Sequence, residues 1–277
     1  MLSVSIGPLS LPLDRLLIVI SLGVAILVAY LVGRKDKLSA DGNLASTFIV
    51  GMLVARVSFV IQYWQEYRGD WFAIIDIRDA GFDPWAGVIT MLVILLWYLW
   101  HQPKKRHSLI SGSLAGLLVW SLTTIGLWAI SETSQQLPKL IVSELEGDTI
   151  DLNAIEQGKP RVINLWATWC PPCRREMPVL EKAQQDMIEV GFVFVNQGEH
   201  QAVVKQFLDK ESLTLGNVVV DNKAILGQLI GSRALPTTLF VDANGNLIDA
   251  HLGELSGASL AAKLKKLMQD KTQQEGK

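Results

Sequence analysis

The sequence predicts an α-helical transmembrane bundle of about four spans, followed by an α/β domain with a mixed sheet. Three observations carry this prediction. Four long apolar runs fill the first half, whereas short β-rich runs alternate with helical ones in the second half. Seven of the nine tryptophans lie in residues 1–136, and both cysteines lie in residues 137–277. The 277 residues are enough for two ordinary domains.

Composition excludes several classes of protein. Residues 1–136 carry 10 basic and 9 acidic side chains, and residues 137–277 carry 15 and 18, so charges of +1 and −3 sum to the net charge of −2. A basic nucleic-acid-binding protein is therefore excluded, and we expect no nucleic-acid partner. The 49% hydrophobic content excludes a disordered tail, and two cysteines are too few for a disulfide-held miniprotein.

The four apolar runs have the length of membrane spans. A spanning helix needs about 20 mostly apolar residues, whereas buried helices of soluble cores have shorter runs and polar faces. The predicted spans are 16–32, 45–63, 85–100 and 109–130. We therefore expect a polytopic domain over 1–130 in contact with the lipid bilayer, a polar linker over 131–138, and a second domain over 139–277.

Basic residues in short loops predict the orientation of the spans. The loops 33–37 and 103–107 are rich in Lys and Arg, whereas the second loop carries five acids and two bases. The positive-inside rule places the two basic loops in the cytoplasm, so both termini and the second domain are extracytoplasmic, at a bacterial inner membrane. The first run lacks a basic leader and a second span follows, so we do not expect a cleaved signal peptide. Tryptophans 64, 71, 85, 97, 100 and 128 stand near span ends, as in an interfacial belt.

Arg56 lies inside the second span, where a charge is costly. Packing inside the bundle, or snorkelling to one face, is one interpretation. The other follows from the surrounding residues 55–60, with Trp64, Tyr67 and the Gly81-Phe82 loop, which loosely resemble the first part of prolipoprotein diacylglyceryl transferases. That family's His-Gly-Gly signature is missing here. The resemblance implies a scaffold or docking module, with lipid acyl transfer as an alternative.

The second half alternates strands and helices. A buried strand at 161–166 leads into Cys170-Pro171-Pro172-Cys173, which opens a helix predicted to run to about Val190. Further strands are predicted at 148–152, 191–196, 217–221, 237–242 and 246–251, and further helices at 201–210, 223–230 and 256–269. The antiparallel pair at the end predicts a mixed sheet flanked by helices.

A CxxC pair between a strand and a helix is a strong redox signal. Zinc needs four ligands, and the other soft candidates, His200 and His251, are distant in sequence. A purely structural disulfide would close too short a loop to restrain the unfolded chain much. Copper held between the cysteines stays an alternative, although no Met or His cluster accompanies them. We expect dithiol–disulfide exchange at Cys170–Cys173, with no metal and no cofactor.

The two cysteines have different predicted roles. Cys170, at the start of the helix, lies near free backbone N–H groups and the positive end of the helix dipole, which stabilise thiolate. We therefore expect Cys170 to be the attacking thiol and Cys173, one turn into the helix, to resolve the mixed disulfide. Pro171 and Pro172 suit the first turn, where N–H groups have no partner in any case.

The segment 164–178, Asn-Leu-Trp-Ala-Thr-Trp-Cys-Pro-Pro-Cys-Arg-Arg-Glu-Met-Pro, resembles the active site of TlpA/ResA-type thioredoxin-fold reductases. The stretch 235–242 matches that family too, and the resemblance covers about 137–270. It implies a thioredoxin-like domain, a membrane-tethered extracytoplasmic reductase, a cis Leu235–Pro236 peptide with Pro236 facing the cysteines, and a kink at Pro178.

Other residues receive roles from position and resemblance. Glu176 stands where ResA-like proteins place an active-site acid, with a plain surface acid as the alternative. Trp169 either covers the site or belongs to the core. Asn164 replaces the buried acid of thioredoxins proper, and Thr237 replaces a Glu usual in the cytochrome c maturation branch. Glu199 is expected to be a dipole partner of the following helix rather than a substrate contact.

The predicted partners follow from the same residues. The resemblance implies periplasmic proteins with disulfides as substrates, reduced rather than oxidised; a dithiol oxidase or isomerase is the alternative. Neither cysteine lies in a span, so this chain cannot carry electrons across the bilayer by its own thiols. A separate transmembrane electron donor is therefore expected.

Overall fold

The computed structural model describes residues 3–6, 9–34, 38–68, 71–131 and 136–275. The chain divides into two compact units, one built from 11–75 and 80–133 and the other mainly from 134–277. Residues 132–135 of the predicted linker, residues 35–37 of the first basic loop and the side chain of Trp128 lie outside the described residues.

The first 131 residues are mostly helical. Two short strands, β1 and β2, pair with each other ahead of the helices. In chain order the elements are β1 (Ser3–Ile6), β2 (Leu9–Pro12), α1 (Leu13–Gly33), α2 (Asp41–Gln62), α3 (Trp71–Ile75), α4 (Pro84–His101) and α5 (Arg106–Ser131). Helices α1, α2, α4 and α5 are long and apolar enough to cross a membrane, so four apolar helices precede the α/β unit, as predicted.

Small residues let α1 and α5 pack closely. A Cβ added at Gly112 would lie 2.6 Å from the Ala25 carbonyl oxygen, and one at Gly116 would lie 2.8 Å from the Ala25 Cβ. Ala25 and Ala29 of α1 form a buried cluster with Leu109 of α5. Close approach of backbones over small residues is a common way to join helices in membranes.

Arg56 is buried in the helical unit and binds backbone carbonyls. Its guanidinium donates from Nε to Ile74 O at 3.0 Å, from Nη1 to Gly81 O at 2.8 Å and from Nη2 to Ala73 O at 2.9 Å. These carbonyls belong to α3 and to the segment before α4. The contacts fit the packing interpretation, because they tie the loop between α2 and α4 to the inside of the bundle.

The second unit contains a seven-stranded sheet of order β4-β3-β7-β6-β5-β8-β9. Its strands are β3 (Ile141–Glu144), β4 (Thr149–Asp151), β5 (Arg161–Trp166), β6 (Gly191–Gln197), β7 (Val218–Asp221), β8 (Thr237–Val241) and β9 (Leu247–Leu252), and its helices are α6 (Pro171–Asp186), α7 (Gln201–Glu211), α8 (Ile225–Leu229) and α9 (Gly257–Glu275). Strands β5, β6 and β7 are parallel, and the other pairs are antiparallel. The sheet is mixed, as predicted.

The central strands are buried on both faces. Along β6, Phe192 and Phe194 join one core cluster, and Val193 and Val195 join the other. Successive side chains of a strand point to opposite faces, so the alternation assigns one cluster to each face. The first cluster includes both cysteines and side chains from α6, α7 and α9, and this face carries the site.

Strands β1 and β2 and helix α3 were not predicted, and the α/β unit differs from its predicted elements in three further places. Helix α6 ends at Asp186 rather than near Val190, because the Val190 amide turns back to the Met187 carbonyl and Val190 enters the core. Helix α9 continues to Glu275. Strand β3 was not predicted; it is four residues long and is held by pairing with the distant β7.

Candidate active site

Cys170 and Cys173 form a disulfide at the start of α6, with a Cα–Cα distance of 5.3 Å. Cys170 is the N-cap residue, and its sulfur accepts the Cys173 backbone N–H at 3.3 Å. Cys173 is fully buried, whereas Cys170 keeps 3% exposure. Strand β5 positions the two cysteines, because only three residues separate its end at Trp166 from Cys170.

In the first turn of α6, a backbone N–H points to the Cys170 sulfur. Pro171 and Pro172 occupy the first helical positions and have no N–H to offer. The N–H of Cys173 is therefore the first backbone donor of the helix, and it points to Cys170. A thiolate on Cys170 would receive that bond together with the positive end of the helix dipole.

Two tryptophans near the cysteines have different surroundings. Trp166 is fully buried in the cluster that contains both cysteines, and its ring lies 5.5 Å from that of Phe207. Trp169, next to Cys170, is 68% exposed. The core interpretation of Trp169 is therefore wrong: Trp166 is the core residue, and Trp169 presents its ring to solvent.

Glu176 is a fully buried acid one turn after Cys173 on α6. Its Oε1 accepts a hydrogen bond from Asn164 Nδ2 at 2.8 Å, and its Oε2 accepts one from the Leu255 amide at 2.9 Å. Burial raises the pKa of Glu176 to about 8, against the opposing effect of these two donors. The interpretation as a plain surface acid is wrong, because the side chain has no exposure.

Asn164 connects Glu176 to the neighbouring strand. Its Nδ2 also donates to Thr238 Oγ1 of β8 at 2.9 Å. Its Oδ1 is buried and has no hydrogen-bond partner among the described residues. From the sequence, Asn164 was notable only because it replaces the buried acid of thioredoxins. In the structure it donates the hydrogen bond that holds Glu176 on the adjacent helix.

The Leu235–Pro236 peptide bond is cis, as the resemblance implies. Leu235 packs against the cluster that contains Cys170 and Cys173. The following Thr237 is fully buried, and its hydroxyl donates to the Ala234 carbonyl at 2.7 Å. Thr237 thus closes the turn before β8.

Glu199 contacts the loop before Cys170. Its carboxylate accepts hydrogen bonds from the Thr168 amide at 2.7 Å, from the Thr168 hydroxyl at 2.5 Å and from Asn196 Nδ2 at 2.8 Å. The N-cap residue of α7 is His200. Glu199 therefore holds the loop that leads to Trp169 and Cys170, and its role as a dipole partner of α7 stays a prediction.

Two arginines follow the second cysteine and form ion pairs. Arg174 pairs with Glu211 at 2.7 Å, and Arg175 pairs with Glu254 through both of its carboxylate oxygens. With Pro171, the residues Arg174, Arg175 and Glu211 line an open groove of about 380 Å³ beside the cysteines. In the part of the chain that the structure describes, no group of three or more His, Cys, Asp or Glu side chains is arranged to hold a metal ion.

Comparisons with known proteins give the family. The Redoxin family model matches residues 132–265. Thiol-disulfide oxidoreductase ResA of Halalkalibacterium halodurans is 32% identical over 130 residues, which cover 46% of this chain and 73% of ResA. Thioredoxin-like protein YneN of Bacillus subtilis is 31% identical over 167 residues, 54% of this chain and 95% of YneN.

A solved thiol:disulfide interchange protein from Chlorobium tepidum is 24% identical and has a TM-score of 0.43, over 50% of this chain and 98% of that one. The family match covers the second half, so the resemblance of the first half to prolipoprotein diacylglyceryl transferases stays a prediction. On its sequence relatives, the chain belongs to the ResA-type thiol-disulfide oxidoreductases, and Cys170 and Cys173 are its redox-active pair.

Proposed function

We propose that this chain is a membrane-anchored extracytoplasmic reductase that transfers two electrons from Cys170 and Cys173 to disulfides of protein partners. The observation that carries the proposal is the pairing of the redox-active cysteines with a buried acid. Cys170 caps α6, Cys173 lies in its first turn, and Glu176 follows one turn later, fully buried.

The reaction consists of two thiol–disulfide exchanges. The Cys170 thiol first loses its proton to solvent, and the thiolate attacks one sulfur of the partner's disulfide. The partner's S–S bond breaks, and the released partner sulfur takes a proton from solvent. Cys173 then loses its proton and attacks Cys170 Sγ, the mixed disulfide breaks, and the second partner sulfur is released and protonated in turn. The Cys170–Cys173 disulfide remains: this chain has given two electrons and released two protons, and the partner has gained two electrons and taken up two protons.

Glu176 is the proposed proton acceptor for Cys173. Cys173 has no exposure, so water cannot easily take its proton when it attacks Cys170. Glu176 lies three residues further along the same helix, and its pKa of about 8 suits proton exchange with a thiol near neutral pH. Asn164 and the Leu255 amide hold the carboxylate in place.

Pro236 and Trp169 are the proposed contacts with the partner. A proline at the cis Leu235–Pro236 bond has no N–H, and we expect it to face the cysteines so that neighbouring backbone can pair with a strand of the partner. The exposed ring of Trp169 adjoins Cys170 and offers an apolar surface beside the reacting sulfur.

The helical unit is proposed to anchor the chain in a bacterial inner membrane. Its four apolar helices carry many exposed large apolar side chains, among them Ile61, Trp85, Trp100 and Leu122. Such surfaces in a helical bundle fit lipid contact. The basic loops 33–37 and 103–107 favour the cytoplasmic side, which places both termini and the α/β unit outside.

The reduced state needs a source of electrons. Both cysteines of the chain lie in the α/β unit, so a separate transmembrane donor protein is proposed to reduce Cys170–Cys173 after each cycle. The substrates are proposed to be extracytoplasmic proteins with disulfides.

Trapping tests the proposed function. In Cys173→Ser cells, the partner stays joined to Cys170, so a thiol-sensitive covalent complex with an extracytoplasmic protein is expected. The matched control is Cys170→Ser, which cannot form that complex although it retains one thiol. Equal yields of covalent complex from the two variants, or none from either, would overturn the proposal.

A further inference from the structure

Two consecutive residues of α6 are held by two consecutive residues of the loop between β9 and α9. Arg175 pairs with Glu254, and the next residue, Glu176, accepts the amide of the next residue, Leu255. The loop is therefore attached to α6 at two adjoining points, one on the surface and one in the core.

The outer point is a bidentate contact. Arg175 Nε lies 3.0 Å from each Glu254 carboxylate oxygen, and Arg175 Nη2 also donates to Glu254 Oε2. The Glu254 side chain is 19% exposed and that of Arg175 is 45% exposed. The inner contact, between the Leu255 amide and Glu176, is shielded from solvent, because Leu255 is 1% exposed and Glu176 has no exposure.

We propose that the Arg175–Glu254 ion pair is a positioning clamp that keeps the Leu255 amide on Glu176 and water away from it. The proposal rests on the proposed function, since it assigns the clamp to the acid that receives the Cys173 proton. An exposed ion pair adds little to stability by itself. Here, however, Arg175 is the residue next to Glu176, so the ion pair determines whether the Leu255 amide and water reach that buried acid.

Few charged groups surround Glu176. They are Arg175 on α6 and Glu254 on the β9–α9 loop, whereas Cys173, one turn earlier on α6, is held in the disulfide. On the outer side of the same loop, Asp76 and then the Glu254 charge raise the pKa of Arg78, and Asp79 accepts a hydrogen bond from the Ser256 hydroxyl. From β9, His251 reaches the Glu254 backbone oxygen at 3.3 Å, and β5 contributes the neutral Asn164. Burial is the largest effect on the pKa of Glu176, and it exceeds the opposing effect of the Leu255 amide. Opening the clamp admits water and therefore lowers this pKa.

The test uses the full chain in detergent, with Glu254→Gln as the opened clamp. The rate of hydrogen exchange at the Leu255 amide shows whether the clamp still holds that amide in place. The rate at which a disulfide peptide is reduced, measured from pH 5.5 to 9, shows the pH at which Glu176 ionises. Removing the Glu254 charge would by itself lower the pKa of Glu176, so exchange at Leu255 is the deciding measurement. Glu211→Gln is the matched control, because it breaks the neighbouring Arg174–Glu211 pair instead.

We expect Glu254→Gln to speed exchange of the Leu255 amide at least about tenfold and to move the inflection of the rate to lower pH. The exchanged pair Arg175→Glu with Glu254→Arg should bring amide exchange back towards that of the unchanged chain, and Glu211→Gln should alter neither readout. Unchanged exchange at Leu255 in Glu254→Gln would overturn the clamp. A pH profile that Glu176→Gln leaves unaltered would instead count against the proposed proton role, and the Leu255 exchange would still decide whether the ion pair positions that amide.

Discussion

Asn164 Nδ2 lies 2.8 Å from Glu176 Oε1, and the same nitrogen lies 2.9 Å from Thr238 Oγ1. One amide group thus joins the strand before the cysteines, the helix after them and the strand after Pro236. The donor stabilises the charged form of Glu176, whereas burial opposes it. The contact therefore helps to set the pH at which the buried acid ionises.

Replacing Asn164 should raise the pKa of Glu176. Asn164→Ala removes a donor to the charged carboxylate and leaves buried groups with fewer partners, at a cost of about 1–3 kcal/mol of stability. The rate of disulfide reduction should show its Glu176-dependent inflection at higher pH than in the unchanged chain. Asn217→Ala is the control, because this exposed asparagine donates to Glu156 and to the Phe192 carbonyl and not to Glu176. An inflection that stays in place would show that Asn164 does not act on Glu176.

Glu176 should make the folded protein less stable as the pH rises. Its pKa is raised from 4.5 to about 8, so the folded chain holds the proton more tightly than the unfolded chain between these values. Its contribution to stability is therefore greatest below about pH 4.5 and is lost progressively as the pH rises from there through 8, by an amount on the order of 5 kcal/mol in all.

Glu176→Gln removes the ionisable group and tests this dependence. The thermal midpoint of the oxidised full chain in detergent, measured at pH 6 and pH 9, should fall less in the variant than in the unchanged chain. Equal falls in the two proteins would contradict the raised pKa.

Glu199 should control the position of the loop before Cys170. Glu199→Ala removes the acceptor for both Thr168 groups, and hydrogen bonds to a charged group contribute about 1.5–3 kcal/mol each. We expect slower disulfide reduction with no change in the pH of the Glu176-dependent inflection. Glu189→Ala, at an exposed acid, should leave the rate unchanged. If Glu199→Ala reduced disulfides at the unchanged rate, the loop would not need this contact.

Gly112 should be required for the packing of α1 against α5. Gly112→Ala places a methyl group 2.6 Å from the Ala25 carbonyl oxygen, and such overpacking costs about 1–3 kcal/mol. Gly126 lies on the same helix with nothing within 4 Å, so Gly126→Ala is the matched control and should be tolerated. Thermal unfolding in detergent distinguishes the two variants, and equal midpoints would contradict the close approach.

Local sequence patterns were enough for much of the fold and for the cysteine pair. The β-rich run 161–166 became β5 with the same ends, and the CxxC after it opened α6 as expected. The four apolar runs likewise became four long helices. These features depend on residues that are close together in the chain: the spacing of apolar residues, the length of a β-rich run and the residue types that start a helix. All three can be read directly from a sequence.

The contacts around Glu176 depend on residues far apart in the chain. Asn164 is 12 residues away, Leu255 is 79 residues away, and the Glu199–Thr168 contact spans 31 residues. Spacing on one helix places Glu176 on the same face as Cys173, but only the packing of α6 against β5 and the β9–α9 loop shows that it is buried. The Leu255 amide carries no side-chain signal, so no residue type could have indicated it.

The redox state of Cys170 and Cys173 in growing cells distinguishes a reductase from an oxidase. Rapid acid quenching followed by a mass-adding thiol reagent separates the dithiol from the disulfide form of the full chain. If the chain is a reductase, the pair should be mostly dithiol in ordinary cells and mostly disulfide when the transmembrane electron donor is removed. A pair that is mostly disulfide in ordinary cells would overturn the reductase role and would indicate an oxidase.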